Sequence, residues 1–341
     1  METLQHDITI PPELDGKRLD QALAELLPDY SRSRLKDWIL GGHVVLDGRK
    51  PVPRTRVQSG QHVALTAAIE VESPAQPEAM DLDIVFEDED VLAIDKPAGL
   101  VVHPGAGNAA GTLMNGLLYY APALSALPRS GILHRLDKGT SGLLLVAKTL
   151  PAHTRLVRDL EQRRITREYR AVCGGRLTAG GHIDAPIGRH PTRRTHMAVI
   201  ENREGKGRPA VTHYRILTRF SAHTFLALRL ETGRTHQIRV HLAHARHGLV
   251  GDATYGGRLK VPAGVSAELA ETLRHFSRQA LHASGLVFTH PVNGNTIELH
   301  SRLPADFVGL LNVLHKGDSS APKDREPKKW DELQWPEMQS D

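Results

Sequence analysis

The stretch HRLDKGTSG, residues 134–142, sets a carboxylate, Asp137, between Arg135 and Lys138 in a short loop held by Gly139 and Gly142. The loop runs straight into LLLVA, a segment too apolar for an exposed strand. A carboxylate beside a guanidinium stays ionised even where burial favours its neutral form. An ionised, poorly solvated carboxylate can act as a nucleophile or a base. An isolated Arg–Asp pair is more often structural, so the loop alone defines a candidate and no reaction. The partner arginine has to come from elsewhere in the chain. The densest source is LETGRTHQIRVHLAHARHGLVGD, residues 230–252, which offers Arg234 and Arg239.

Other familiar chemistries fit poorly. GAGNAAG, 105–111, spaces its last glycine one residue too far for a dinucleotide fingerprint and reads as a glycine turn. There is no phosphate loop with Gly-Lys-Ser/Thr and no serine in a Gly-x-Ser-x-Gly elbow. His236, His241 and His244 could supply metal nitrogens and Asp252 a carboxylate, but His236 and His241 stand five apart and share a helical face badly. Histidines that face a ligand or bond the backbone are the better reading, and no metal site is expected. A single cysteine, Cys173, leaves no intrachain disulfide framework.

The elements that must position these groups fall into two regions. Residues 16–66 read as a small α+β module. Leu19, Leu23, Leu26 and Leu27 share one helical face that Pro28 ends, and Ser31 caps a second helix with a Leu35, Trp38, Ile39 stripe. That helix carries Arg32, Arg34 and Lys36, and HVVLDGRKP after it reads as a hairpin around Asp47-Gly48. Residues 67–80 are small, acidic and proline-containing, a linker by composition. From residue 81 to 306 strands alternate with helices: strands in IVFEDEDVLAIDKP, GLLLVAKT, REYRAVCGG, THYRILTRF, TFLALRLETG and GLVFTHP, and helices near 150–163, 235–245 and 266–276. The polar tail, 316–341, is expected to be flexible.

The net charge is only +4, but Lys and Arg cluster. Residues 31–56 hold seven Lys/Arg against two Asp, and 155–170 six Arg against three acids. Such patches suit a phosphate backbone. No apolar run approaches the ~20 residues of a membrane span, and METLQHDITIPPEL lacks a signal-peptide core, so a cytoplasmic protein away from membranes is expected.

Two resemblances extend this reading. GKRLDQALAELLPDYSRSRLKDWILGGHVVLDGRKP resembles the S4 RNA-binding domain. HRLDKGTSGLLLVAKT resembles the catalytic motif of the RluA-type pseudouridine synthases. DIVFEDEDVLAIDKPAGLVVHPGAG, ITREYRAVCGG, LETGRTHQIRVHLAHARHGLVGDATYGG and RQALHASGLVFTHP resemble that family's other motifs, in order. The resemblance implies an α+β protein: an S4-like domain, then a pseudouridine synthase domain with a mixed, mainly antiparallel central sheet flanked by helices. It implies that Asp137 is the nucleophile, that Tyr169 stacks on the target base, and that Arg239 pairs with the aspartate. It gives Arg135 the space left by the flipped nucleotide and Lys96, in IDKP, a supporting place. His134, Lys138, Arg234 and His236 are expected beside the substrate, with Arg32, Arg34 and Lys36 on RNA. Gly139 departs from the family, whose members often carry an acid there, which suggests a slightly looser loop.

The implied reaction isomerises uridine and needs no cofactor. The implied partner is 23S rRNA or a precursor of the large ribosomal subunit, at the loop of helix 69, and a monomer is expected. Alternatives are a synthase for another rRNA or tRNA site, a non-catalytic RNA-binding ribosome-assembly factor, and a glycoside hydrolase. The last needs a second carboxylate at a set distance, which the Asp137 motif lacks.

Overall fold

The structure, a computed structural model, describes residues 3–27, 32–68, 75–105, 107–193, 195–200, 207–257, 261–262, 264–317 and 330–332. It divides into two compact units, Met1–Pro74 and Ala75–Asp341.

The first unit contains β1 (Thr3–Thr9), α1 (Leu19–Leu26), α2 (Arg32–Leu40), β2 (Val44–Leu46) and β3 (His62–Ala68). The strands form one antiparallel sheet in the order β1-β3-β2. Leu19 and Leu23 of α1, and Leu35, Trp38 and Ile39 of α2, pack into its core. Two expectations need correction. The unit does not begin at residue 16, because β1 pairs along its whole length with β3, Thr3 opposite Ala68. Nor do residues 43–51 close on themselves as a hairpin. Asp47 and Gly48 take positive φ, but beyond a single Leu46–Arg49 bridge the partner of β2 is β3. Pro28 and Ser31, the expected helix stop and cap, lie outside the described residues.

The second unit is built on a nine-stranded sheet. Its elements begin with β4 (Ile84–Glu87), β5 (Val91–Lys96), α3 (Leu113–Tyr120), β6 (Ser141–Ala147), α4 (Leu150–Glu161) and β7 (Thr166–Gly174). Then come β8 (Gly181–Asp184), β9 (Ile187–Arg189), β10 (Met197–Val199), β11 (Val211–Arg219), β12 (His223–Leu230) and α5 (Gln237–His244). The last are α6 (Ala267–His275), β13 (Leu281–Thr289), β14 (Thr296–His300) and α7 (Ala305–Lys316). The sheet runs β4-β5-β6-β13-β7-β12-β11-β8, with β14 also on β13 and β9-β10 as a separate pair. Only the β6–β13 junction among these pairs is parallel. Every residue of β6 is buried, which explains its unbroken apolar run.

The β6–β13 junction dictates a glycine. Gly142 has φ +111°, and a Cβ there would stand 2.2 Å from the Ala283 carbonyl oxygen. The chain can therefore enter β6 from the 134–140 loop only with no side chain at this position.

The outer parts correct three more boundaries. Of the expected linker, residues 67–68 complete β3, and residues 75–80 run beside α3, where Asn115 Nδ2 donates to the Gln76 carbonyl (2.7 Å). The folded unit passes residue 306, since Phe307, Leu310 and Leu311 of α7 are fully buried. The tail is not free throughout. Trp330 is 3% exposed, stacks edge-on against Phe225, and donates from Nε1 to Asn312 Oδ1 at 2.8 Å.

Candidate active site

Asp137 sits in a turn closed by the Thr140 N–H on the Asp137 carbonyl (2.9 Å), immediately before β6. The buried Lys96, at the end of β5, holds this turn from behind. Its Nζ donates to the carbonyls of Pro97 (2.8 Å), Leu100 (2.9 Å) and, more weakly, Lys138 (3.4 Å). Burial lowers the Lys96 pKa to about 8, against the opposing pull of Asp137. The loop at Gly139 is held tightly. Arg278 donates to its carbonyl (3.2 Å), Gln279 bonds Thr140 (2.9 Å), and a Cβ at Gly139 would meet Gln279 Oε1 at 2.6 Å.

Arg239 comes from α5, whose start is fixed by Gln237. That side chain accepts from the Arg234 N–H (2.9 Å) and the Thr232 hydroxyl (2.8 Å), and donates to the Val211 carbonyl (3.0 Å) on β11. The guanidinium then spans two carboxylates. Nη1 donates to Asp137 Oδ2 at 2.9 Å, while Nε and Nη2 hold Asp252 at 2.7 and 2.9 Å. The Asp252 side chain is fully buried, the Asp137 side chain 15% exposed. Burial works against the Arg239 charge, but the two carboxylates outweigh it and push its pKa further up. For Asp252 burial acts upward, and the bonds to Arg239, Tyr255 N–H and Thr254 N–H hold the carboxyl below its usual range.

Tyr255 completes the cluster. Its ring lies 4.9 Å from the Arg239 guanidinium, and its hydroxyl accepts from the Met197 N–H (2.9 Å) and meets His236 Nδ1 (2.7 Å). His236, at φ +58° on the start of α5, brings Nε2 to 3.6 Å from Asp137 Oδ1. Burial lowers its pKa, with Asp137 pulling the other way.

A cavity of about 510 Å³ opens over these groups, within the usual range for a small-ligand site. Asp137, Tyr169, Arg239, His134, Arg135, Arg234 and His236 all line it. Arg135 is exposed and Tyr169 is 6% exposed. Burial raises the Tyr169 hydroxyl pKa, so the ring meets the cavity as a neutral phenol.

The other expected residues fare differently. His134 reaches the cavity, yet its Nε2 accepts from the Leu145 N–H (3.2 Å), and burial drives its pKa to about 3. That nitrogen is therefore taken up by β6. Lys138 is exposed and is not part of the cavity wall. Arg234 is half-buried and anchors Nε on the Pro209 carbonyl (3.1 Å). Lys36 is exposed on α2, and the Arg32 and Arg34 side chains lie outside the described residues. His241 bonds Thr212 Oγ1 and the Ala185 carbonyl, both at 2.9 Å, and among the described residues no His, Cys, Asp and Glu group could hold a metal. Sequence reasoning missed Asp252 as the Arg239 anchor, and with it Tyr255 and Gln237. The run GDATYGG after the arginine motif was the available signal, though nothing in it marks a carboxylate as buried.

Together the wall offers a carboxylate fixed by one guanidinium bond, an aromatic face and an excess of cations. That set suits a nucleobase carried on an anionic backbone.

The comparisons with known proteins agree in class. Residues 90–244 match the RNA pseudouridylate synthase family model and residues 17–63 the S4 domain model. The chain belongs to the RNA pseudouridylate synthase family, with an N-terminal S4 domain, and is an RNA pseudouridine synthase.

Within that class it is similar to proteins called ribosomal large subunit pseudouridine synthase D. The Escherichia coli protein is 55% identical over 314 residues, covering 92% of this chain and 95% of that one. The Yersinia pestis protein is 54% identical over 325 residues, covering 95% and 98%. Among solved structures, human RNA pseudouridylate synthase domain containing 1 aligns with TM-score 0.52 and 28% identity, over 67% of this chain and 86% of that one. Human RNA pseudouridylate synthase domain containing 4 shares the fold at TM-score 0.54 and 24% identity, over 68% and 92%. Among the described residues no helix is long and apolar enough to cross a membrane.

Proposed function

We propose that the protein converts uridine to pseudouridine in 23S rRNA, in the loop of helix 69, with Asp137 as nucleophile. The observation that carries the reading is the 2.9 Å bond from Arg239 Nη1 to Asp137 Oδ2 in the wall of a cavity that Tyr169 shares. The 54–55% identity to proteins named for the large ribosomal subunit supports the choice of RNA.

The steps follow from the groups present. The target uridine leaves its stack, at a cost of about a few kcal/mol that is smaller in a loop. Stacking on Tyr169 offsets roughly 1–3 kcal/mol of that, and Arg135, exposed at the cavity, fills the vacated space. Asp137 then attacks C1′, or takes the C2′ proton to leave a glycal, and the N1–C1′ bond breaks. The uracil turns and C5 bonds to C1′, as the Asp137–C1′ ester bond breaks in the first case or as Asp137 returns its proton to C2′ in the second. The C5 proton passes to water and N1 takes one up. Arg239 holds Asp137 Oδ2 throughout. The chemistry consumes no second substrate and changes no oxidation state.

The test is tritium release from 23S rRNA labelled at uridine C5. Wild type should release it and Asp137→Asn should not, while RNA binding by the variant stays within about twofold. Release by Asp137→Asn would remove the nucleophile. Release by wild type from tRNA but not from 23S rRNA would replace the substrate.

A further inference from the structure

Three buried side-chain polar atoms lack a hydrogen-bond partner among the described residues: His103 Nε2, Arg167 Nε and Ser284 Oγ. Two of the three, on His103 and Arg167, belong to residues that line the active-site cavity. Buried polar groups are satisfied in the great majority of cases, so two orphans in one wall point to a partner that arrives with a ligand.

Arg167 is the more informative. It is 8% exposed, two residues before Tyr169 on β7. Alternation along the strand puts Arg167 and Tyr169 on one face and Glu168 and Arg170 on the other. The acid compensation lies on that other face, where Glu168 bonds Arg229 and stands 3.8 Å from Arg170. The cavity wall has three carboxylates: Asp137, committed to Arg239, Glu231, committed to Arg163 and His213, and the exposed Glu161. Arg167 pairs with none of them. Its Nη1 lies instead where a Cβ on Gly233 would approach to 2.7 Å. A buried guanidinium without an anion is costly, and a fold retains it where the anion is supplied from outside.

The charge selects the ligand. Uracil carbonyls are neutral and would leave the cation uncompensated, whereas the planar edge of a guanidinium matches two oxygens of a phosphate. One two-residue step along a strand spans roughly 6.6 Å, so Tyr169 and Arg167 address adjoining parts of a single nucleotide. We infer that Arg167 binds the backbone phosphate flanking the flipped uridine, and that Gly233 is a glycine because the guanidinium passes over it. The inference rests on the reading of the cavity as a uridine site in RNA.

The experiment is a cycle between protein and RNA. A helix 69 stem-loop is made with one methylphosphonate, which removes a phosphate charge, 5′ of the target uridine, and a second RNA carries it 3′. With one of the two, wild type should lose roughly tenfold or more in kcat/KM. Arg167→Met should lose as much on the unmodified RNA and under twofold more on the modified one. Its thermal midpoint should equal or exceed that of wild type, which a purely structural arginine would not allow. Gly233→Ala, which crowds Nη1, should raise KM in wild type and change nothing further in Arg167→Met. Equal methylphosphonate losses in wild type and Arg167→Met on both RNAs would overturn the inference alone, as would a midpoint several degrees lower in the variant. No turnover of the unmodified stem-loop by wild type would count against the proposed substrate and this inference together.

Discussion

Asp252 grips Arg239 side-on, Oδ2 accepting from Nε at 2.7 Å and Oδ1 from Nη2 at 2.9 Å, and this fixes where the remaining nitrogen reaches Asp137. The second carboxylate thus orients the arginine without facing the reacting base. Asp252→Asn should keep the shape and lose the charge. Breaking a buried pair costs about 3–5 kcal/mol, so the thermal midpoint should fall by several degrees. The freed guanidinium can turn onto both Asp137 oxygens, and misplacement of that order costs roughly 10²-fold in rate. Single-turnover kinetics should show the loss in kcat with RNA affinity nearly unchanged. An unaltered kcat would reduce Asp252 to a packing residue.

Tyr169 is nearly fully buried on β7 and shares the cavity with Asp137. If its ring stacks on the base, Tyr169→Phe keeps most activity and Tyr169→Leu loses the equivalent of about 1–3 kcal/mol, roughly 5- to 150-fold. Equal losses in tritium release from the two variants would assign the role to the hydroxyl instead.

Gly142 and Gly139 bracket the turn after Asp137, and they should respond differently to alanine. At Gly142 the added Cβ meets Ala283 backbone atoms, the oxygen at 2.2 Å and the nitrogen at 2.6 Å, with φ already at +111°. Backbone cannot step aside, so Gly142→Ala should cost more than about 4 kcal/mol and leave little folded protein. At Gly139 the nearest atom is the tip of the Gln279 side chain, which can swing away. Gly139→Ala should fold, with a midpoint within a few degrees of wild type. Thermal melts of the pair decide the point, and similar midpoints would contradict it.

How far the sequence anticipated this structure depends on the range of the signal. β6, α4, β7, β12 and α6 follow from local sequence pattern. The central trio of Asp137, Tyr169 and Arg239 came from motif resemblance, and the three do line one cavity. β1 left no such trace, because its partner β3 lies more than fifty residues away and a lone strand of mixed polarity looks like any other terminus. The Asp47-Gly48 turn was legible, but not that β2 would pair with β3 beyond it. The isolation of Arg167 was also hidden. A strand sequence rich in Arg and Glu reads as paired until the alternation of faces shows which cation the acids leave alone.

The behaviour in acid follows from histidines that the fold keeps neutral. His282 is 1% exposed, its Nδ1 3.0 Å from Ser141 Oγ and its Nε2 3.1 Å from Ser301 Oγ. Burial, aided by Arg278 and Arg170 and opposed by the Ser301 carbonyl and Asp331, lowers its pKa from 6.5 to about 4. The unfolded chain therefore takes up this proton first, and protonation favours unfolding. The stabilisation from His282 is complete above about 6.5 and is lost as pH falls through about 4. The gap between those values corresponds to a contribution on the order of 3 kcal/mol. His134, at about 3, and His103, at about 4, act in the same direction. The thermal midpoint of wild type should decline as pH drops from 6.5 to 4. His282→Gln should start lower at pH 7 and decline less steeply across that window. Parallel curves for the two proteins would place the acid sensitivity in other groups.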